Sequence, residues 1–417
     1  MFNNSGLSLN QAPPIEVVLR LFFVGSIFGI VLSVMLFFWH TNLTDISAPQ
    51  TLAIVHTFTL GVMASFMLGA LFQMMPVLCG VHIKAPIDLG IRVYVVLSIG
   101  VIFLITAFIN GATSLYIFAS IFLGYALLIS AYVMIKRLLT IKHSNSSRGM
   151  LLALIALSIT AILGIILLFL RAGFNLPFDY LAIKTIHYNF GLFGWIALLI
   201  ISVAFQVVEM FYVTPKYNER YAKYITIVLF SLLLIYAFMR YLDLAIAIII
   251  PYILAIIVGI NAIITIIKFK QKKRPVNDAS IFFWIIGMVF LVLCSLSFLF
   301  NLSITITAEF FAFFALSIVF AMSYKIIPFL VWFHLNALGY FDAPMMHEVV
   351  APKYAKANLW IYLASILSLI LSNWLPIIFY IGSFLLLISF CMLSLAIYRA
   401  WDKYSYTLVY GKKFNFN

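Results

Sequence analysis

The segment Thr185–Pro215 reads TIHYNFGLFGWIALLIISVAFQVVEMFYVTP. It is predominantly apolar and longer than the roughly 20 helical residues that cross a hydrocarbon core. Its most polar side chains lie near the two ends, with His187 at the start and Gln206 and Glu209 towards the finish. Such groups are costly inside a membrane and usually have a function. The segment therefore predicts a membrane helix whose polar residues are the first place to look for a site.

A related segment occurs twice more, about 120 to 135 residues away in each direction. In one common register, the polar residues Gln73, Gln206 and Lys325 align. A small residue precedes each by four positions, namely Gly69, Ser202 and Ala321. Three positions later come Pro76, Glu209 and Pro328, and twelve positions earlier Gly61 and Gly194 match whereas Phe313 does not. Self-similarity at a long period predicts an architecture built from repeated units.

The composition predicts an integral membrane protein. Hydrophobic residues make up 65% of the 417 residues, charged residues 9%, and the mean hydropathy is +1.17. The apolar runs do not alternate at every second residue, as the strands of a membrane barrel would. We therefore expect an all-α membrane protein with about twelve transmembrane helices, near residues 16–40, 51–79, 87–109, 113–138, 149–172, 182–212, 221–240, 244–269, 279–300, 306–334, 355–372 and 375–400.

The repeat predicts a single transmembrane domain made of three four-helix groups. The groups cover residues 16–138, 149–269 and 279–400, and the repeated helix is second in each. Because the groups run in the same direction, the prediction is a pseudo-threefold axis along the membrane normal, unlike the inverted repeats of many transporters. The loops are short, so no soluble domain is expected and the chemistry should occur in or beside the bilayer.

The charge distribution predicts the topology. The net charge is +13, but all except four of the 25 Lys and Arg fall on one side of the predicted membrane. The exceptions are Arg171, Lys184, Arg240 and Lys325. By the positive-inside rule, both termini are expected to be cytoplasmic, and this sorting argues for lipid rather than nucleic acid as the partner. Low charge and short loops are typical of a bacterial inner-membrane protein.

The repeated helices resemble those of a known family. The sequences are Leu60-Gly61, Phe193-Gly194-Trp195 and KIIPFLVWFH from Lys325 to His334. Together with the threefold arrangement they resemble subunit I of the haem-copper oxidase superfamily, including its oxidase-like relatives and proteins of the nitric-oxide-response type. The resemblance implies a haem held between the second, sixth and tenth helices, in the outer third of the membrane.

Two histidines are the candidate ligands for a haem, expected to be haem b, or for copper. His56 and His187 each lie about five residues into their spans, or roughly 8 Å at the α-helical rise, so they share one layer. Met63 and Met67 follow His56 at helical spacing and are candidates for a face of the cofactor site. The alternatives are ordinary helix packing for the methionines and hydrogen-bonded structural roles for the histidines.

The chain also departs from the oxidase pattern. The resemblance implies a histidine pair in the seventh helix and a second pair in the tenth. Span seven has no histidine, and span ten has only His334. Glu309, near the outer end of span ten, does not replace two haem ligands. We therefore expect electron transfer or the binding of a diatomic gas rather than complete oxygen reduction, with electrons supplied by a redox protein or by quinol.

The remaining polar residues leave a second class of function open. Glu209 and Lys325 occur near the inner ends of repeated helices, where an ionisable group requires a partner or water. They are expected to pair with each other, to line a proton or ion route, or to extend to the interface. With Gln73, Gln206 and Glu309 they form the polar path of the alternative, a transporter or channel on the same scaffold without redox chemistry.

Overall fold

The computed structural model describes residues 13–40, 43–273 and 275–413. Within these residues every regular element is a helix, apart from one isolated bridge between Tyr340 and Lys413. Arg274, part of the densest basic cluster of the sequence, lies outside them. The prediction of an all-helical chain is confirmed.

Twelve helices of the described residues are long and apolar enough to cross a membrane. This confirms the predicted number. They are α1 (Ile15–Trp39), α2 (Pro49–Cys79), α3 (Pro86–Asn110), α4 (Thr113–Leu138), α5 (Asn145–Arg171), α6 (Tyr180–Tyr212), α7 (Glu219–Tyr241), α8 (Ala245–Lys270), α9 (Ala279–Leu299), α10 (Ile304–Ala337), α11 (Pro352–Leu371) and α12 (Ile378–Tyr410). A one-turn helix, Met346–Val349, lies between α10 and α11.

The helix starts follow local sequence rules. Helices α2, α3 and α11 each begin with proline, whose fixed φ suits the first helical position. The side chain of Ser144 caps α5 through the backbone N–H of Ser147, and Asp179 caps α6 through the N–H of Ala182. These side chains satisfy backbone donors that have no partner within the helix. The starts of these five helices are therefore favoured by local sequence.

The chain forms two compact units. The first includes Leu71–Pro275 and Gly287–Ala315, and the second includes Pro14–Ala70, Val276–Ile286 and the chain from Leu316 onwards. This division cuts across the three predicted groups, because the second unit combines residues of the first group with residues of the third. In the first unit α5 packs on α4, α6 and α7, and in the second α12 packs on α1 and α11.

The second unit is held together partly by buried interhelical hydrogen bonds. Asn358 of α11 donates from Nδ2 to the hydroxyl of Tyr324 at 2.7 Å and to the carbonyl of Ser389 at 3.2 Å, while Ser389 Oγ donates back to Asn358 Oδ1. Asn358 is fully buried. Hydrogen bonds of this kind join helices where lipid offers no polar partner.

Candidate functional site

Two of the three repeated helices contain a stretch of π-helix at the same place in the repeat. In α2 the stretch is Thr57–Ala64, and in α6 it is Phe190–Ala197, each of 8 residues. With Gln73 aligned on Gln206, the first stretch falls on the second residue for residue. π-Helical turns are rare and occur frequently at functional sites. The match supports the alignment of these two copies and makes the two stretches the centre of the candidate site.

A glycine occupies the fifth position of each π-helical stretch. A Cβ added to Gly61 would lie 2.7 Å from Cγ of Phe28 on α1, and one added to Gly194 would lie 2.8 Å from Cβ of Ala156 on α5. Both glycines thus permit a neighbouring helix to approach closely. In α10 the register places Phe313 at this position, and α10 is α-helical throughout. The copy that lacks the glycine also lacks the π-helical stretch.

His56 is the last residue before the π-helical stretch of α2. Its Nδ1 lies 2.8 Å from the carbonyl oxygen of Leu52, one turn earlier. Because a carbonyl oxygen only accepts, Nδ1 carries the proton, and in the neutral ring the lone pair is on Nε2. Metal-ligating histidines are commonly oriented by the same N–H to carbonyl bond. His56 therefore has the tautomer that is common among metal-ligating histidines.

His187 lies three residues before the π-helical stretch of α6. Its Nδ1 is 3.0 Å from the carbonyl oxygen of Thr160 on α5. Its Cε1 is 3.1 Å from the position that a Cβ would take at Gly164, one turn further along α5. The absence of a side chain at Gly164 gives the imidazole its space. As at His56, Nδ1 donates to a carbonyl, and the neutral ring presents its lone pair at Nε2.

The two histidines are not equivalent in the repeat. The counterpart of His56 is Asn189, which is buried and donates from Nδ2 to the carbonyl of Thr185 at 2.9 Å. Thr185 is itself the counterpart of Leu52. A hydrogen bond to the preceding turn is therefore a repeated feature of the α-to-π junction, made by imidazole in one copy and by an amide in the other. The hydrogen bond from His187 to α5 is not the counterpart of the bond from His56 to Leu52.

The methionines below His56 are placed differently from the α-helical expectation. Met63 lies within the π-helical stretch, and Met67 lies three residues after it; both side chains are buried. A π-helix has more residues in each turn than an α-helix. The stretch therefore rotates Met67 relative to His56, so the strip predicted from α-helical spacing does not run straight.

Glu209 adjoins a buried hydrogen-bonded network in the first unit. Its Oε1 accepts from the backbone N of Tyr217 at 2.7 Å. The hydroxyl of Tyr217 donates to Thr265 Oγ1 at 3.1 Å, Thr265 Oγ1 donates to the carbonyl of Asn261 at 2.9 Å, and the hydroxyl of Tyr221 donates to Asn261 Oδ1 at 3.0 Å. Four polar side chains of α8, α7 and the loop before α7 are thus linked beside one carboxylate.

Sequence reasoning missed this network. Its one signal in the sequence is the four-residue spacing of Asn261 and Thr265, which places both on one side of a helix. Burial raises the pKa of Tyr217 to about 12, the hydrogen bond to Thr265 opposes this rise, and the charge of Glu209 adds to it. The hydroxyl therefore stays protonated, and remains a hydrogen-bond donor, at physiological pH.

Lys325 has an ion-pair partner that the sequence did not reveal. Its Nζ lies 2.9 Å from Oδ2 of Asp278, which directly precedes α9. The other oxygen of Asp278 accepts from Ser280 Oγ and from the backbone N of Ile281. Burial alone raises the pKa of Asp278, but the hydrogen bonds from Ser280 and Lys325, the Lys325 charge and the Ile281 amide together lower it below its ordinary value. The expected partner, Glu209, accepts its own hydrogen bond in the first unit.

The other predicted polar residues lie in the first unit. Gln73 is buried, and its Oε1 has no hydrogen-bond partner among the described residues. Gln206 is half-buried, as is Glu309 in the second turn of α10. Trp195, inside the π-helical stretch of α6, is also buried, and its Nε1 has no such partner within the same described ranges. Buried polar atoms of this kind are costly and often indicate a site for water or a ligand.

The donor set can be compared with the needs of a haem and of copper. Of the two candidate ligands, His187 belongs to the first unit and His56 to the second. No group of three or more His, Cys, Asp or Glu among the described residues is arranged to hold a metal ion. Protein copper sites typically take at least three side-chain ligands, whereas haem iron needs only one or two from the protein. A histidine with its lone pair on Nε2 is a donor that haem iron can use.

Comparisons with known proteins add no family. No model of a known protein family matches the chain, and a search of characterised proteins finds no significant match. Over residues 13–40, 43–273 and 275–413 the fold defines a class, a helical polytopic membrane protein with twelve helices long and apolar enough to span the bilayer. Its contact with a lipid bilayer follows from that class.

Proposed function

We propose that this chain is a haem-binding membrane protein of the haem-copper oxidase subunit I type, in a degenerate form. It transfers electrons, or binds or responds to a diatomic gas, and does not carry out complete oxygen reduction. The proposal is supported by the twelve membrane-length helices, by the repeated segments and by two histidines whose Nε2 atoms carry the lone pair. The absence of histidine from α7 argues against a second metal beside the haem.

The proposed arrangement places the three repeated helices around a pseudo-threefold axis. It is supported by the π-helical stretches of α2 and α6, which coincide in the repeat register. Both termini face the cytoplasm of a bacterial cell with the protein in the inner membrane, as the sorting of basic residues favours. The sequence has no recognisable cytochrome c or copper-A motif, so the electrons come from a partner protein or from quinol.

In this proposal His56 or His187 would hold a haem b through Nε2. The bound haem would supply a redox-active iron with an affinity for diatomic gases. The chain's own residues orient the ligands: the carbonyl of Leu52 holds the ring of His56, and the carbonyl of Thr160 holds that of His187. The buried Met63 contributes an apolar wall that excludes water. Copper remains the less favoured ion.

The observation that carries this proposal is the position of His56 and His187 within three residues of the two matching π-helical stretches, each with Nδ1 donating to a backbone carbonyl. The test is a reduced-minus-oxidised visible spectrum of protein purified after haem-replete expression, for the wild type and for His56→Ala and His187→Ala. His334→Ala is a matched control, because His334 Nδ1 also donates to the preceding turn, at 2.9 Å from the carbonyl of Leu330. His334 lies near the opposite end of its repeated helix from the haem layer.

We expect the haem bands of the wild type to be lost in at least one of the first two variants and retained in His334→Ala. Intact bands in both His56→Ala and His187→Ala would exclude these ligands. A wild-type preparation without haem bands and without iron would reject the proposal and leave the histidines as hydrogen-bonded packing residues.

The alternative is a transporter or channel, and one observation favours it. Glu209 lies beside the linked Tyr217–Thr265–Asn261 network, an arrangement that holds a proton or a cation at the end of a membrane helix. Ion or substrate flux into proteoliposomes that Glu209→Gln abolishes would support this function. Glu219→Gln is the control, since Glu219 is exposed in the first turn of α7. Equal flux in the wild type, in both variants and in empty vesicles would exclude it.

A further inference from the structure

A layer of positive charge marks the start of α11 and the neighbouring part of α12, both in the second unit. The first 21 residues of α12, Ile378–Tyr398, carry no charge, and Arg399 follows them. At the α-helical rise they extend roughly 30 Å, the thickness of a hydrocarbon core. Arg399 therefore lies at the edge of that core, at the level of the lipid headgroups.

The first turn of α11 lies in the same layer. The guanidinium carbon of Arg399 is 5.0 Å from the ring centre of Tyr354, in a cation–π contact. Lys353 and Lys356 flank Tyr354 within the first five residues of α11, and both are exposed. Because α11 and α12 pack against each other, this contact places Arg399 at the level of the first turn of α11, which carries both lysines.

These three cations lack carboxylate partners in the described part of the chain. The ion pairs found there involve Arg20, Arg240 and Lys325 instead. The nearest carboxylate along α12 is Asp402, one turn after Arg399. In addition, no side chain caps the N-terminus of α11, so the positive end of its dipole adds to the layer. The surface therefore presents three cations outside any ion pair of the described residues.

Large apolar side chains face outward on the membrane side of the charged layer. Trp360 and Leu367 of α11 are 62% and 58% exposed, and Tyr398 and Leu395 of α12 are 60% and 43% exposed. Trp and Tyr are enriched at the boundary between headgroups and hydrocarbon. A layer of cations, an aromatic belt and an apolar face follow one another in the order of a phospholipid's phosphate, glycerol region and acyl chains.

We propose that this end of the helix pair, with Lys353, Lys356 and Arg399 as cations and Trp360 and Leu395 as outward apolar residues, binds an anionic phospholipid. Its headgroup phosphate lies in the layer of the cations, and its acyl chains lie along the outward residues of α11 and α12. Charge complementarity selects an anionic over a zwitterionic lipid. This inference is independent of the haem, and it concerns a surface that the proposed redox site does not use.

The test measures lipid binding to detergent-purified, full-length protein by native mass spectrometry. Phosphatidylglycerol is compared with phosphatidylcholine of the same acyl chains, and glycerol 3-phosphate tests whether the headgroup alone suffices. The variant is Lys353→Gln, Lys356→Gln and Arg399→Gln combined. The control removes the same number of charges from the first unit, as Lys216→Gln, Lys223→Gln and Lys270→Gln, all of them exposed.

We expect phosphatidylglycerol to bind the wild type and the control equally, and the variant about tenfold or more weakly, because each cation near the surface contributes appreciably to anionic lipid binding. Equal binding of phosphatidylcholine would overturn the proposal, as would an unchanged affinity in the variant or an equal loss in the control. Binding of glycerol 3-phosphate as strong as that of the lipid would reassign the face to free phosphate esters. Helical content by circular dichroism confirms that the variant is folded.

Discussion

Gly61 and Gly194 are each the fifth residue of an eight-residue π-helical stretch, and each lies where a Cβ would meet a neighbouring helix at less than 3 Å. A close helix contact and a widened helical turn therefore coincide in both copies. Phe313 takes their place in α10, which has no π-helical stretch among its residues. Two copies of the repeat thus share a backbone feature, and each carries a histidine within three residues of its start.

Adding a methyl group to Gly194 is expected to destabilise the first unit. Gly194→Ala would force Ala156 and its helix away, at a cost of about 1–3 kcal/mol, because an overpacked interface has no space to fill. Gly191→Ala is the control in the same π-helical stretch, since its Cβ would meet Thr160 Cγ2 at an ordinary 3.4 Å. Thermal unfolding of the detergent-purified variants measures the difference. Equal melting temperatures for both would contradict the packing role.

Separating Lys325 from its partner is expected to weaken the second unit. The Lys325 side chain is 19% exposed and that of Asp278 41%, so the pair is intermediate between a surface and a buried ion pair. Asp278→Asn should cost about 1–2 kcal/mol, and Lys325→Met a similar amount. The double variant should lose less than the sum, because neither charge remains without its partner. Strictly additive losses in thermal unfolding would show that the two residues do not interact.

The same pair predicts an acid-dependent loss of stability. The pKa of Asp278 is lower in the folded protein than the value of about 3.9 in an unfolded chain. The stabilisation is therefore complete above about pH 4 and is lost as the pH falls through the folded pKa. Melting temperatures recorded from pH 7 to pH 3 should fall less steeply for Asp278→Asn than for the wild type. Parallel curves would refute the linkage.

Removing the Asn358 amide is expected to destabilise the junction of α10, α11 and α12. Asn358→Ala leaves the hydroxyl of Tyr324 and the carbonyl of Ser389 without their shared donor, which should cost about 1–3 kcal/mol. The control is Asn373→Ala, whose Nδ2 donates to the carbonyl of Ile370 at an exposed position. Unfolding in detergent measures the stabilities of the two variants. A control as unstable as Asn358→Ala would mean that burial is not the cause.

Filling the space beside His187 is expected to alter the haem site without removing its ligand. In Gly164→Ala the added Cβ lies 3.1 Å from Cε1 of His187, closer than ordinary contacts, so the imidazole must shift by a few tenths of an ångström. If His187 binds the haem, the visible bands should shift or broaden while haem content stays the same. Identical spectra for Gly164→Ala and the wild type would argue that His187 is not the ligand.

The spans were predictable because each is a long apolar run, and membrane insertion depends on little else. The glycines Gly61 and Gly194 were also visible in the sequence, as was the departure at Phe313. The π-helical stretches were not, because their residues differ little from those of an ordinary apolar helix. The shared face of His56, Met63 and Met67 was predicted from α-helical spacing. The π-helical stretch rotates Met67 about the helix axis, away from that face.

The partners of the polar groups were much less predictable. Asp278 reads as a helix cap before α9, and nothing in its sequence position indicates Lys325, which is 47 residues away. The bond from His187 to Thr160 involves a backbone carbonyl, which any residue type provides. Contacts that depend on how helices pack are set by the tertiary structure, so a sequence pattern identifies the polar residue but not what it touches.

The most direct test of the haem proposal is the molar ratio of haem to protein in the purified wild type, measured by pyridine haemochrome together with iron analysis. Expression under haem-replete conditions and purification in mild detergent keep a bound haem in place. We predict a ratio near one, with a haem b spectrum. A ratio near zero, with neither Soret absorption nor iron in folded protein, would contradict the account and favour the transporter or channel.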